Sequence, residues 1–131
     1  MQGRTIRVVA AVLESEGRYL ITQRRPTAVL PLLWEFPGGK VEPGETDAQA
    51  LKRELLHRLG AEIECGKLIS FVSHPYEHYA VDLFLYECRL VRPKLEARNV
   101  NAYKWVPSSE FDQYAFTPAD EASMNKLLGE S

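Results

Sequence analysis

The sequence predicts an α+β protein in which a mixed β-sheet is sandwiched between helices, an α/β/α arrangement. Three observations carry this expectation. A Val- and Ala-rich run near the start reads as a buried strand. A capped amphipathic helix occupies the middle of the chain. Strand-like runs flank that helix on both sides, and a second helix closes the sequence.

Taken in order, residues 6–13 are rich in Val and Ala and read as a buried strand, and the turn Glu14-Ser15-Glu16-Gly17 separates them from a second strand over residues 19–23. Arg24-Arg25-Pro26 ends that strand, and a loop runs to about Leu33. Trp34-Glu35-Phe36 reads as a short extended piece leading into Pro37-Gly38-Gly39. A helix is expected over residues 47–59. Thr46 with Gln49 three residues on makes a capping-box pattern, and Gly60 supplies the stop. Ala48, Leu51, Leu55 and Leu59 share one face by the helical period, while Glu54, His57 and Arg58 share another. Residues 67–74 and 79–90 read as strands joined through the hairpin connection His74-Pro75-Tyr76-Glu77-His78. Residues 92–101 carry no period, residues 103–106 read as a last strand, and Thr117-Pro118 opens a helix to about Leu128.

The 131 residues suit one domain spanning 1–131, with 45% hydrophobic and 26% charged residues in a globular balance. A formal charge of −2 argues against broad binding to long nucleic acid, which needs an excess of Lys and Arg on one face. Cys65 and Cys88 lack C-x-x-C spacing and read as two small buried thiols in a reducing compartment. No apolar leader opens the sequence and no run approaches membrane-spanning length, so a cytoplasmic protein without membrane partners is expected.

The chemistry is concentrated in one stretch. It reads Gly39-Lys40-Val41-Glu42-Pro43-Gly44-Glu45, seven further residues, then Arg53-Glu54-Leu55-Leu56-His57-Arg58-Leu59-Gly60-Ala61. This resembles the Nudix box, G-x5-E-x7-R-E-U-x-E-E-x-G-U with U aliphatic. The flanking Leu33-Trp34-Glu35-Phe36-Pro37-Gly38 and Ile21-Thr22-Gln23-Arg24-Arg25 are similar to the MutT-like branch with its CTP pyrophosphohydrolase relatives, and the likeness covers nearly the whole chain. The resemblance implies a Nudix fold, a nucleoside polyphosphate ligand, and Mg²⁺ or Mn²⁺ held by carboxylates against the substrate's phosphates. It implies substrate contacts at Arg24, Phe36, Gly38, Gly39, Lys40, Arg58 and Asp120. The two glycines would bring backbone close to phosphate and take positive φ. At the catalytic site, beside Glu54, Glu45 and Arg53 resemble a supporting ion pair that fixes loop to helix rather than a catalytic pair.

The box is degenerate. The two glutamates that the pattern places after Arg53-Glu54-Leu55-Leu56 are His57 and Arg58, so Glu54 alone remains of the usual carboxylates. A further glutamate that many relatives carry before the last strand's tryptophan falls on Asn99, with Glu96 out of step. These changes take the helix face from several negative charges to roughly neutral, and a divalent ion is expected to bind weakly. Arg58 lies one turn from Glu54 and is placed to pair with it.

Other candidates have two readings each. His57 is either a replacement metal ligand beside Glu54 or a solvated, phosphate-facing side chain. His74, Glu77 and His78 read as turn chemistry rather than a metal cluster. Arg24 is a phosphate or base contact, or an exposed strand-end charge. Trp34, Phe36 and Phe116 are either a stacking slot for a base or core; Trp34 reads as core and Phe36 as a wall of the slot. Asp120 either pairs with an exocyclic amino group, as on cytosine or adenine, or favours the helix N-terminus as an acid. Asp82 is expected to point inward from its strand, sharing a face with Ala80, Phe84 and Tyr86. Two functions follow. One is a hydrolase cleaving a nucleoside triphosphate to monophosphate and pyrophosphate, weakened by His57 and Arg58. The other is a module that binds a phosphorylated ligand without hydrolysing it.

Overall fold

The fold is described from a computed structural model covering residues 4–127. The strands are β1 (Arg4–Ser15), β2 (Arg18–Gln23), β3 (Trp34–Glu35), β4 (Gly38–Lys40), β5 (Ile63–Pro75), β6 (Tyr79–Leu90) and β7 (Ala102–Val106). The helices are α1 (Asp47–Leu59) and α2 (Pro118–Leu127), with a 3-10 turn at Ser108–Gln113. The sheet runs β3-β2-β1-β6-β5, with β4 paired to β1 and β7 to β2. It is mixed. β1 and β6 are parallel from Arg4↔Tyr79 to Leu13↔Cys88, and the other strand pairs are antiparallel.

Strand alternation splits the core in two. Val9, Ala11 and Leu13 of β1 face one way, with Leu51, Leu55 and Leu59 of α1. Ala10 and Val12 face the other, with Phe36, Phe111, Phe116 and Met124 of α2. One helix therefore covers each face, as the sequence predicts. Helix α1 begins and ends where its signals place it. Thr46 and Gln49 form a reciprocal capping box, and Gly60 closes the helix in the left-handed conformation.

Several expectations are corrected. Ala50, not Ala48, opens the buried stripe of α1. Ala48 lies at the stripe's margin in the first turn and stays exposed. Gly38 and Gly39 belong to strand β4 rather than to an irregular loop, because residues without Cβ can lie flat against β1. β5 starts at Ile63, four residues early, since register shifts on either side of Leu68 break its alternation. Thr117 and Pro118 do open α2, but the Thr117 hydroxyl donates to Asp120. The expected end at Leu128 lies outside the described residues. No helix of the described residues is long and apolar enough to cross a membrane.

Candidate active site

A cavity of about 720 Å³ opens between β1, β4, β6, α1 and the start of α2. That size suits a drug- or nucleotide-sized ligand. Its floor is apolar, from Ile6 and Val8 of β1 beside Val81 and Leu83 of β6, which are register partners.

At one end stands Glu54, 8% exposed on the inner side of α1. Both of its oxygens are engaged. Arg58 donates Nε to Oε1 at 2.9 Å, and Arg53 donates Nη1 to Oε2 at 3.2 Å. Arg53 is fully committed. Its Nε and Nη2 grip Glu45 at 2.7 and 2.9 Å, and Nη2 also reaches the Lys40 carbonyl at 2.9 Å. This fork locks β4 and its following loop to α1. It holds the Glu45 carboxyl down at about 2, first through the Arg53 hydrogen bonds and then through the Glu42 backbone.

Gly38 and Gly39 line the same end. Neither takes the positive φ expected of it; Gly17, Gly44 and Gly60 are the described glycines that do. Their role is close approach. A Cβ on Gly38 would sit 1.9 Å from the Val9 carbonyl oxygen, and one on Gly39 would sit 2.3 Å from the Glu54 carboxyl. Lys40 lines the cavity from an exposed position.

Two further acids line the cavity. Asp120 is buried, accepting from the Phe36 N–H at 2.9 Å and from the Thr117 hydroxyl at 2.6 Å. Burial first, then the field of Glu35, pushes its carboxyl up to about 7. The Glu35 carboxyl is also raised, chiefly by burial, against the opposing pull of Arg24 and Arg58. Arg24 Nη1 binds both Glu35 oxygens at 3.2 and 3.3 Å, and its Nε binds the Val29 carbonyl at 2.6 Å. Arg24 thus stays close to Glu35 and anchors a loop whose Leu30 and Leu32 both take positive φ. Tyr76 and Tyr79 of the β5–β6 hairpin stack at 5.2 Å on a further wall.

Of the residues expected from sequence, Arg24, Phe36, Gly38, Gly39, Lys40, Glu54, Arg58 and Asp120 all line this cavity. Glu45 and Arg53 stand behind it as support. His57 does not join them. It is exposed, does not line the cavity, and its carbonyl accepts from Asn99 Nδ2 at 2.9 Å. Its position, one residue before Arg58, turns it off the inward arc of α1. Asn99 and Glu96 also sit at the end of α1, with their backbone N–H groups bonded to the Arg58 and Leu59 carbonyls. Trp34 and Phe116 are core, and Phe36 is both core and cavity wall. The hairpin cluster forms a turn, and His78 and Glu77 lie exposed at its tip. Asp82 does not point inward as expected; it accepts from the Ser73 hydroxyl on the surface, across the β5–β6 pairing.

Sequence reasoning missed Glu35, the hairpin tyrosines and the apolar floor. Glu35 had one available signal, a lone carboxylate between two buried aromatics on a strand.

The donor set does not fit a resident divalent ion. Among the described residues, no group of three or more His, Cys, Asp or Glu could hold one. The remaining box carboxylate is already neutralised by two guanidinium groups.

The fold and the loop–helix geometry define a Nudix domain, and the family model for that domain matches residues 8–126, so the chain belongs to the Nudix family, on its MutT-like hydrolase side. It is 36% identical to the CTP pyrophosphohydrolase of Escherichia coli K12 over 117 residues, covering 89% of this chain and 87% of that one. It is 31% identical to the 8-oxo-dGTP diphosphatase of Haemophilus influenzae over 132 residues, covering 100% of this chain and 97% of that one. The solution structure of the E. coli ORF135 protein superposes with a TM-score of 0.81 at 32% identity, over 97% of this chain and 91% of that one.

Proposed function

We propose that the chain, as one domain over 1–131, is a MutT-like hydrolase that cleaves a nucleoside or deoxynucleoside triphosphate to the monophosphate and pyrophosphate. The observation that carries this reading is the mixed lining of one cavity. Backbone glycines and the cations Lys40 and Arg58 line it, suited to a phosphate chain. The Glu35–Asp120 pair lines it too, suited to a base edge. The relatives' names, a CTP pyrophosphohydrolase and an 8-oxo-dGTP diphosphatase, support this substrate class. A pyrimidine or purine with an exocyclic amino group suits Glu35, an acceptor when ionised.

Glu54, Glu45 and Arg53 are the residues assigned to the catalytic end, and turnover is slow, because Glu54 lies between two arginines. A Mg²⁺ or Mn²⁺ ion binds this chain weakly and arrives as the counter-ion of the triphosphate. His57 adds no ligand from its exposed position. A cytoplasmic site of action, where nucleoside triphosphates are abundant, suits the assignment.

The test is pyrophosphate release from a panel of ribo- and deoxyribonucleoside triphosphates, including CTP and 8-oxo-dGTP, with Mg²⁺ or Mn²⁺. Slow formation of monophosphate from at least one of them is expected. A protein that binds one triphosphate tightly yet releases no pyrophosphate with either ion would be a sensor. The pairing of Glu54 with Arg58 is the observation that favours that second reading.

A further inference from the structure

In the box pattern, position 58 carries a carboxylate; here it carries a guanidinium that points into the cavity. The use of its donors distinguishes it from its neighbour. Each nitrogen of Arg53 that could serve a ligand is engaged by Glu45, Glu54 or the Lys40 carbonyl. Arg58 engages Nε alone, on Glu54; its two terminal amino groups make no hydrogen bond among the described residues. Its side chain is 27% exposed, so those amino groups remain reachable while the stem is held. Lys40, whose Nζ forms no ion pair among the described residues, lines the same cavity.

The geometry points to a phosphate subsite that works without a divalent ion: Arg58, with Lys40, holds the polyphosphate chain directly by charge-assisted hydrogen bonds. This deepens the proposed function and rests on its triphosphate ligand. A carboxylate at 58 would repel a polyphosphate unless a cation bridged them. A guanidinium with two free amino groups matches two phosphate oxygens in a fork and supplies the cation itself. Its tie to Glu54 orients the fork, so little side-chain freedom is lost on binding. The partly enclosed cavity strengthens the attraction relative to open water.

The probe is inorganic tripolyphosphate, titrated calorimetrically into the whole protein in EDTA and again in excess Mg²⁺. Affinity in EDTA should equal or exceed that in Mg²⁺. Arg58→Gln should weaken binding in EDTA about tenfold or more. Arg58→Lys should fall between, retaining charge and losing the fork. Lys40→Ala, at an exposed side chain with little bearing on folding, should weaken binding several-fold. Melting curves of each variant check that it is folded. Binding that appears only with Mg²⁺, or folded Arg58→Gln and Lys40→Ala proteins that bind in EDTA like the native chain, would overturn the inference. Pyrophosphate release is measured in parallel. Binding in EDTA without any hydrolysis leaves this subsite standing and removes the hydrolase reading; hydrolysis with strictly Mg²⁺-dependent binding does the reverse.

Discussion

Arg58 donates to Glu54 across one turn of α1, so the carboxylate that a Nudix box would offer to a metal already has a cation on it. Millimolar Mg²⁺ alone should therefore leave the native melting temperature nearly unchanged, since stabilisation follows the logarithm of concentration over affinity. Arg58→Glu should alter this, removing the competing cation and adding a second carboxylate one turn from the first. His57→Glu, exposed and outside the cavity, should add less. Thermal melts with and without Mg²⁺ read both effects. A native shift of several degrees would show that further ligands surround Glu54.

Gly38 and Gly39 differ in what surrounds them, and their alanine variants should differ accordingly. At 38 the new methyl meets the backbone of Val9 in the central strand, which cannot yield without breaking the β1–β4 pairing. At 39 it meets the end of the Glu54 side chain. Denaturant unfolding should give a loss of about 3 kcal/mol for Gly38→Ala and about 1 kcal/mol for Gly39→Ala. The latter should still impair ligand binding by displacing Glu54. Equal losses for the two would contradict the placement of β4.

Asp120 gives a pH signature. Its carboxyl lies at about 7 in the folded protein and near 4 when unfolded, so folding takes up a proton between those values. Its contribution is full below about pH 4, falls as pH rises, and levels off above about 7. Asp120→Asn retains an acceptor for the Phe36 N–H and can donate to the Thr117 hydroxyl. It should match the native chain in acid and melt a few degrees higher at pH 8. Parallel melting curves across pH 4–8 would refute this.

The Arg53–Glu45 fork should behave oppositely. Glu45 is held at about 2, so its contribution is present above the unfolded value near 4 and lost as pH falls toward 2. Glu45→Gln should be destabilising at pH 7 and nearly silent at pH 2. Arg53→Ala, which strands the Lys40 carbonyl and half of Glu54, should cost about 1–3 kcal/mol at neutral pH. Its 35% exposure keeps this below the loss for a fully buried pair. Urea titrations of the three proteins at both pH values test the pattern.

The course of α1 was legible because capping and periodicity are local. Thr46, Gln49 and Gly60 mark its ends without reference to the rest of the chain. Glu35 was harder to see, since its meaning depends on Asp120, which α2 brings to the far side of Phe36. The hairpin tyrosines likewise reach the cavity only through the parallel β1–β6 pairing, a long-range fact with no local sign. His57 shows the limit of helical spacing as a guide. Neighbours on a helical wheel share a face only in part, and a single residue of offset separates a cavity wall from solvent.

Arg24 holds both the Val29 carbonyl in the loop and Glu35 inside the cavity. The loop's shape and the charge on Glu35 therefore cannot be varied independently. A substitution at 24 would free a carboxylate and release the loop around Leu30 and Leu32 in one step. Any attempt to redesign base preference through Glu35 must also resettle the residues that frame the entrance. Loop grafting from a relative should succeed only when positions 24 and 35 are transferred together and the loop keeps a backbone carbonyl where Val29 offers one.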